Sequence, residues 1–235
     1  MTKTSRTLQK DIETLGKVSS TIVSEMYLED ILKIIVAMTA ELMGSKVCSL
    51  MLLNEKGDEL KLAATQSLSK DYLNKANVKV GQSISGRAVS EKKPITIIDV
   101  KKDPKYMFPE IAKKENLCSM LAVPLIVKGK VIGVLNCYTS KKHKFTSREM
   151  KLVSAVGNQA AIAIHNRKLV EEKESLTSKL EERKLVERAK GILMKKEGLS
   201  EEESYRKMQK QSMDNRRSMK EIAEAFISAQ DINPQ

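Results

Sequence analysis

The chain has 235 residues, of which 41% are apolar and 31% charged, with a formal net charge of +12. That length suits one large domain or two modest ones with real cores, and the balance of apolar and charged residues excludes a disordered chain. No window approaches the ~20 apolar residues of a membrane span, and Met1 to Arg6 lead into a charged amphipathic stretch without an apolar signal core, so no membrane association and a cytoplasmic location are expected.

In chain order, Leu8, Ile12, Leu15, Val18 and Ile22 recur at helical spacing. A second helical face is written by Leu28, Ile31, Leu32, Ile35, Met38, Thr39 and Leu42 and is closed by Gly44. Then the period changes. Residues 46–54 and 59–66 read as strands joined by Glu55-Lys56-Gly57-Asp58, a short hairpin turn. Further strands are predicted over 94–100, 117–127 and 131–139, the last two joined by Lys128-Gly129-Lys130. Helical pieces are predicted near 70–76, 85–90 and 109–115. Cys48, Cys118 and Cys137 are odd in number, widely spaced and set in apolar runs, which predicts reduced buried thiols rather than a disulfide framework.

Gly81, Ser85-Gly86, Pro94 with Asp99, Ser119, Val123-Pro124-Leu125, Gly129, Ile132-Gly133-Val134 and Phe145 follow one another in an order and spacing that resembles a GAF domain over residues 20–165. The resemblance implies an antiparallel sheet flanked by helices that binds a small ligand or serves as a dimerisation platform, and leaves the identity of a ligand open. Cys118 is followed by Ser119 and not by the His of a bilin attachment site, and no Asn-Lys-Phe-Asp-Glu type run of cyclic-nucleotide GAF domains is present. His143 and His165 are far apart with no Cys or His at ligand spacing, so no metal and no cofactor are expected. Some proteins of this fold reduce methionine sulfoxide with clustered cysteines. Here the cysteines sit inside apolar strands, which favours plain core packing.

Thr146 and Glu149 form a capping box that starts a long helix. From Ile162 the positions Ile162, Asn166, Leu169, Lys173, Leu176, Leu180 and Arg183 alternate by four and three, a heptad seam. Leu169 and Leu176 hold one core position, while Asn166 and Lys173 hold the other, where polar groups lower stability and select a parallel two-stranded register. Packing on its own domain or on the N-terminal helix is the alternative. Dimerisation through Ile162, Asn166, Leu169, Lys173, Leu176 and Leu180 is preferred.

The last quarter reads as three helical patterns. The first carries Ala189-Lys190-Gly191-Ile192-Leu193-Met194 and ends at Gly198. A glycine within a helix is less favourable than alanine by about 1 kcal/mol, so Gly191 beside Lys190 offers a positive charge next to a bare backbone that a phosphate or base could approach. Ser200 and Glu203 give a second capping box, and the helix after it is expected to run to about Met213, burying Tyr205, Met208 and Ser212, before turn chemistry at Asp214-Asn215. Ser218 and Glu221 repeat the box ahead of the apolar face Met219, Ile222, Ala223, Phe226 and Ile227, which stops at Asn233-Pro234.

The ordered set Arg188, Ala189 to Met194, Gly198, Ser200, Ser204-Tyr205, Ser212, Asn215-Arg216-Arg217 and Ile222-Ala223 resembles an ANTAR domain, the three-helix RNA-binding module of bacterial transcription antitermination regulators, over roughly 180–227. Ser204-Tyr205 and Met208 depart from the usual Ala-Phe and Leu. The resemblance implies a dimer that holds two adjacent stem-loops of nascent RNA, one per subunit, so that a competing terminator hairpin cannot form. The RNA-binding residues it implies are Arg188, Ala189, Lys190, Gly191, Ser212, Arg216 and Arg217. Unstacked loop bases are the natural target, because the deep major groove of an RNA helix hides its base edges. Charge alone does not locate this site: residues 183–235 hold 12 Lys and Arg against 9 acids, whereas residues 101–150 hold 11 against 4, an excess that either adds a nonspecific electrostatic attraction or, the preferred reading, keeps the domain soluble.

The expected architecture is α+β: a GAF sensor domain over 1–165 with its N-terminal helix, a signalling helix or coiled coil over 146–183 that overlaps the last GAF helix, and an all-α three-helix ANTAR bundle over 180–235. The expected function is an RNA-binding antitermination regulator, a homodimer and not an enzyme. A DNA-binding regulator is the alternative; its recognition helix would present a dense polar and basic row, whereas the third helix here is apolar with Glu221 and Glu224. A GAF-type enzyme such as a methionine sulfoxide reductase would need a converging thiol or acid set, and none is visible.

Overall fold

The computed structural model describes Gly16, residues 27–67 and residues 69–232. The expected helix over residues 8–22 lies outside the described residues apart from Gly16, as does the stop at Asn233-Pro234. The chain divides into two compact units, Met1–Arg167 and Lys168–Gln235.

In the first unit, helix α1 (Leu28–Met43) ends on Gly44 in the left-handed conformation. Strands β1 (Val47–Leu53) and β2 (Glu59–Thr65) follow. Helix α2 (Lys70–Leu73), strand β3 (Val78–Lys79), helix α3 (Ser83–Glu91), strand β4 (Ile95–Ile97) and helix α4 (Pro109–Lys114) come next. The long hairpin β5 (Met120–Val127) and β6 (Lys130–Tyr138) leads to helix α5 (Ser147–Glu197). The six strands form one antiparallel sheet in the order β3-β2-β1-β6-β5-β4. Lys128 and Gly129 both have positive φ, 50° and 75°, the backbone twist that a two-residue hairpin turn needs.

The central strands are covered on both faces, which is why β5 reads as a continuous apolar run with no alternation. One face carries Cys48, Leu50, Leu121, Val123, Leu135 and Cys137 against Ile31, Ile35 and Val36 of α1 and Val153, Val156, Ala160 and Ile164 of α5. The other carries Val47, Met51, Met120, Ala122, Val134 and Tyr138 beneath Tyr72, Ile84, Ala88 and Leu117. All three cysteines are buried free thiols. A Cβ on Gly86 would run into the Lys79 carbonyl oxygen, and one on Gly133 into that of Met51, so both glycines permit backbone contact that no other residue allows.

The second unit contains the last turns of α5, helix α6 (Glu201–Asn215) and helix α7 (Met219–Ile232). Its core is Val186, Ala189, Leu193, Met208, Ile222, Ala223 and Ile227. No helix among the described residues is long and apolar enough to cross a membrane.

Candidate nucleic-acid interface

The three helices of the second unit start and stop on local chemistry. Gly198 closes α5 at φ 69°, its N–H donating to the Met194 carbonyl at 3.1 Å. Ser200 Oγ accepts from the Glu203 N–H while the Glu203 carboxylate accepts from the Ser200 N–H at 2.8 Å, a complete capping box. Ser218 and Glu221 repeat it at the head of α7, with 2.7 Å from the Ser218 N–H to the carboxylate and 3.2 Å from the Glu221 N–H to the hydroxyl. Between α6 and α7, Arg216 takes a left-handed conformation (φ 52°), and Ser212 Oγ donates to the Arg217 carbonyl at 2.5 Å. An arginine in that region is uncommon; the Ser212 hydroxyl and the Arg217 N–H to Ser212 carbonyl bond, 3.1 Å, hold the turn in place.

Lys184, Arg188, Gly191 and Lys195 recur at i, i+4, i+7 and i+11 and therefore share one face of α5. It is the face away from Ala189 and Leu193, and its charged members are exposed. A Cβ built on Gly191 would meet nothing within 4 Å, so packing inside this chain does not require glycine there. Arg216 and Arg217 are exposed at the α6–α7 turn.

Three residues stand differently from their expected places. Lys190 is not an open cation: its side chain is 9% exposed, and Nζ donates to Glu201 Oε1 at 2.7 Å and Glu187 Oε1 at 2.9 Å. The hydrogen bond to Glu201, then that to Glu187, raises the Lys190 pKa, and the same contact with Lys190 lowers that of Glu201. Ala189 is fully buried in the core and offers no surface. Tyr205, expected inside, is 45% exposed, and Ser204 and Met208 take the inward positions with no exposure at all. The Ser204 hydroxyl has no hydrogen-bond partner among the described residues.

The heptad positions all lie in α5. Ile162, Leu169, Leu176 and Leu180 are exposed by 43%, 46%, 66% and 54%, with Asn166 and Lys173 exposed between them. None of these side chains belongs to the buried cores of the two units.

Within the first unit, polar groups are buried on the sheet face under α2 and α3. The Tyr72 hydroxyl donates to Ser49 Oγ at 2.9 Å, and Ser85 Oγ donates to Asn136 Oδ1 at 3.1 Å. Asn136 Nδ2 is buried with no partner among the described residues. Tyr138 meets Tyr72 and Tyr106 edge to face at 6.4 and 6.5 Å between ring centroids. Burial pushes the Tyr72 and Tyr138 phenols up. Lys75, which no sequence motif marks, holds Nζ 4.0 Å from the centroid of the Tyr72 ring, and burial brings its amine down to about 7. Beside it opens a pocket of about 330 Å³ lined in part by Asn74, Phe108 and Ile111.

The GAF domain model matches residues 25–165 and the ANTAR domain model matches residues 174–227. The chain is 28% identical over 169 residues to a methyl sulfide methyltransferase-associated sensor of Methanosarcina acetivorans, covering 68% of this chain and 17% of the sensor. It is 45% identical over 53 residues to the transcriptional regulatory protein PdtaR of Mycobacterium tuberculosis, covering 23% of this chain and 26% of PdtaR. The chain thus spans about a sixth and a quarter of these relatives. The GAF domain of a phosphoenolpyruvate-protein phosphotransferase from Coxiella burnetii superposes with a TM-score of 0.63 at 22% identity, over 70% of this chain and 98% of that one, a likeness of fold. With the sheet and its two helical layers inside the first match and the three-helix bundle inside the second, the chain belongs to the GAF-domain family and carries a C-terminal ANTAR domain.

Proposed function

We propose that this chain is an RNA-binding transcription antitermination regulator. Two copies pair along α5, each ANTAR bundle takes one of two adjacent stem-loops in a nascent transcript, and the terminator hairpin that would compete for the same nucleotides is excluded. The GAF unit acts as sensor and dimerisation module, in the cytoplasm. The ANTAR match over the whole bundle carries this reading.

The surface supports it. Phosphate recognition needs cations that can reach a backbone, and Arg188, Arg216 and Arg217 are exposed on helix and turn positions held by the bundle core. Gly191 leaves a bare stretch of helix on the same face as Arg188 with no intramolecular use. Ser212 is half-buried with its hydroxyl turned to the Arg217 carbonyl, so its part is to shape the arginine turn as well as to face RNA. Lys190 reaches a phosphate only by leaving Glu187 and Glu201. The exposed face of α7 carries Glu221 and Glu224, which disfavours a DNA groove. The buried cysteines give no open thiol for reductase chemistry.

The test is selection and titration. The full chain is incubated with RNA pools carrying two adjacent stem-loops with randomised loops, single stem-loops, or scrambled sequence, and with duplex DNA, across salt concentrations. Enrichment of two-hairpin RNA, with log affinity falling linearly with log salt, is expected. Equal binding to scrambled RNA or to duplex DNA overturns the proposal.

A further inference from the structure

The bundle has two aromatic side chains among the described residues, Tyr205 and Phe226, and they are used differently. Phe226 packs against the core. Tyr205 does not. Its ring is 45% exposed on α6, while its neighbours Ser204 and Met208 fill the inward positions completely. Ser204 and Met208 already fill the inward positions of α6, and the Tyr205 ring is left half-exposed at the surface.

The face it occupies is specific. Glu201, Tyr205 and Ser212 follow one another at i, i+4 and i+11, so they lie on one side of α6, and Arg216 caps the C-terminal end of the same helix in the left-handed conformation. Glu201 holds the Lys190 ammonium at 2.7 Å, so that charge is neutralised at the N-terminal end of the helix. Arg216, fixed in its left-handed turn, has no ion-pair or hydrogen-bond partner for its guanidinium among the described residues. The helix therefore presents a half-exposed aromatic ring on one face and an exposed arginine at its C-terminal end. That combination suits a single-stranded nucleotide run: every base has a flat π-face that stacks on an aromatic ring, and a phosphate farther along the strand takes the arginine. Tyrosine suits the task because only two side-chain torsions are fixed when a base settles on it.

We propose that Tyr205 is the stacking platform for an unpaired loop base, with Arg216 at the C-terminal end of α6 holding a phosphate farther along the strand. The proposal rests on the RNA-binding reading above and adds to it the residue that captures the base.

The chain has no tryptophan, so Tyr205→Trp introduces a single fluorescent reporter at the platform itself. The experiment uses the full-length protein and the two-hairpin RNA enriched by the wild type. Tyr205→Leu is expected to weaken binding by roughly 5- to 150-fold, the range of a lost base–aromatic stack, while Tyr205→Phe and Tyr205→Trp retain it. The emission of Tyr205→Trp is expected to be quenched on binding. Replacing loop nucleotides one at a time by abasic sites is expected to find one position at which Tyr205→Leu costs nothing further. Thermal unfolding of the variants separates loss of the platform from loss of the fold, and Phe rescues the first without needing the hydroxyl.

If Tyr205→Leu binds as the wild type does, or if its loss is the same against every abasic RNA, the platform is refuted while the regulator reading stands. Should the wild-type chain enrich no two-hairpin RNA, both are refuted.

Discussion

Lys190 and Gly191 are neighbours in sequence with opposite situations: the lysine is engaged inside the bundle and the glycine is open. Gly191→Ala places a methyl group where nothing stands within 4 Å, so it should stabilise the helix by about 1 kcal/mol. If RNA approaches the backbone there, the same substitution weakens RNA binding. Urea unfolding paired with RNA titration checks both, and a variant that is more stable and binds equally well removes Gly191 from the interface. At Lys190 the charges decide. Glu201 is held below the ordinary carboxylate range by Lys190, and Lys190 above the ordinary ammonium range by Glu201 and Glu187. The carboxylate contributes stability above its unfolded pKa, near 4.5, that is lost as pH falls through the lower folded value; the ammonium contributes stability below its unfolded pKa, near 10.5, that is lost as pH rises through the higher folded value. Glu201→Gln should therefore lower the melting temperature near pH 7, with the difference closing under acid conditions. It also releases one of two anchors, so RNA affinity should rise if Lys190 serves a phosphate. An unchanged melting temperature at pH 7 would show that the pair contributes nothing to the bundle.

The elements that were legible in advance are those fixed by neighbours within a few residues. Thr146 with Glu149, Ser200 with Glu203 and Ser218 with Glu221 each close a box whose two partners lie three positions apart, and Gly44 and Gly198 end helices by their own backbone freedom. What was illegible depends on distant partners. Strand β3 is two residues long, too short to show alternation, and exists because Val78 and Lys79 pair with Leu60 and Glu59. Strand β4 stops at Ile97, short of the expected 100, because the Ile98 carbonyl turns to accept from Ser119 Oγ at 2.6 Å and the Val100 N–H donates to the Cys118 carbonyl at 2.7 Å. Ser204 and Tyr205 differ by one helical step, and which of them faces inward is settled by the fit of α6 against Ala189 and Leu193. Of the two partners that occupy Lys190, Glu187 is a local neighbour, but Glu201 stands eleven residues on, across a helix boundary. For α5 itself the polar seam yields a prediction. In the proposed pair Asn166 and Lys173 take core positions and lower its stability, so Asn166→Val with Lys173→Val should tighten self-association, measured by sedimentation equilibrium. No change in the dimer constant would place the seam outside the interface.

Joining two ANTAR bundles makes the second hairpin contact intramolecular, so the affinity for paired stem-loops should exceed that for one stem-loop without any new contact. The gain depends on the protein dimer persisting at the concentration of the experiment. Leu169 and Leu176 are 46% and 66% exposed, so replacing both by Asp disturbs nothing that the described residues pack against them, yet puts like charges in apposition wherever two copies of α5 meet. The double variant should therefore remain folded, sediment as a monomer, and keep the wild-type affinity for a single stem-loop. Its affinity for two adjacent stem-loops should fall to nearly the single-hairpin value, a loss of about 10²- to 10⁴-fold if the spacing of the hairpins matches the spacing of the bundles. Salt gives an independent check: each phosphate released flattens the dependence of log affinity on log salt, so the monomer should show roughly half the slope of the dimer on paired hairpins. A monomer that still prefers two stem-loops to one would mean that a single bundle spans both, and pairing along α5 would then serve the GAF unit and not RNA recognition.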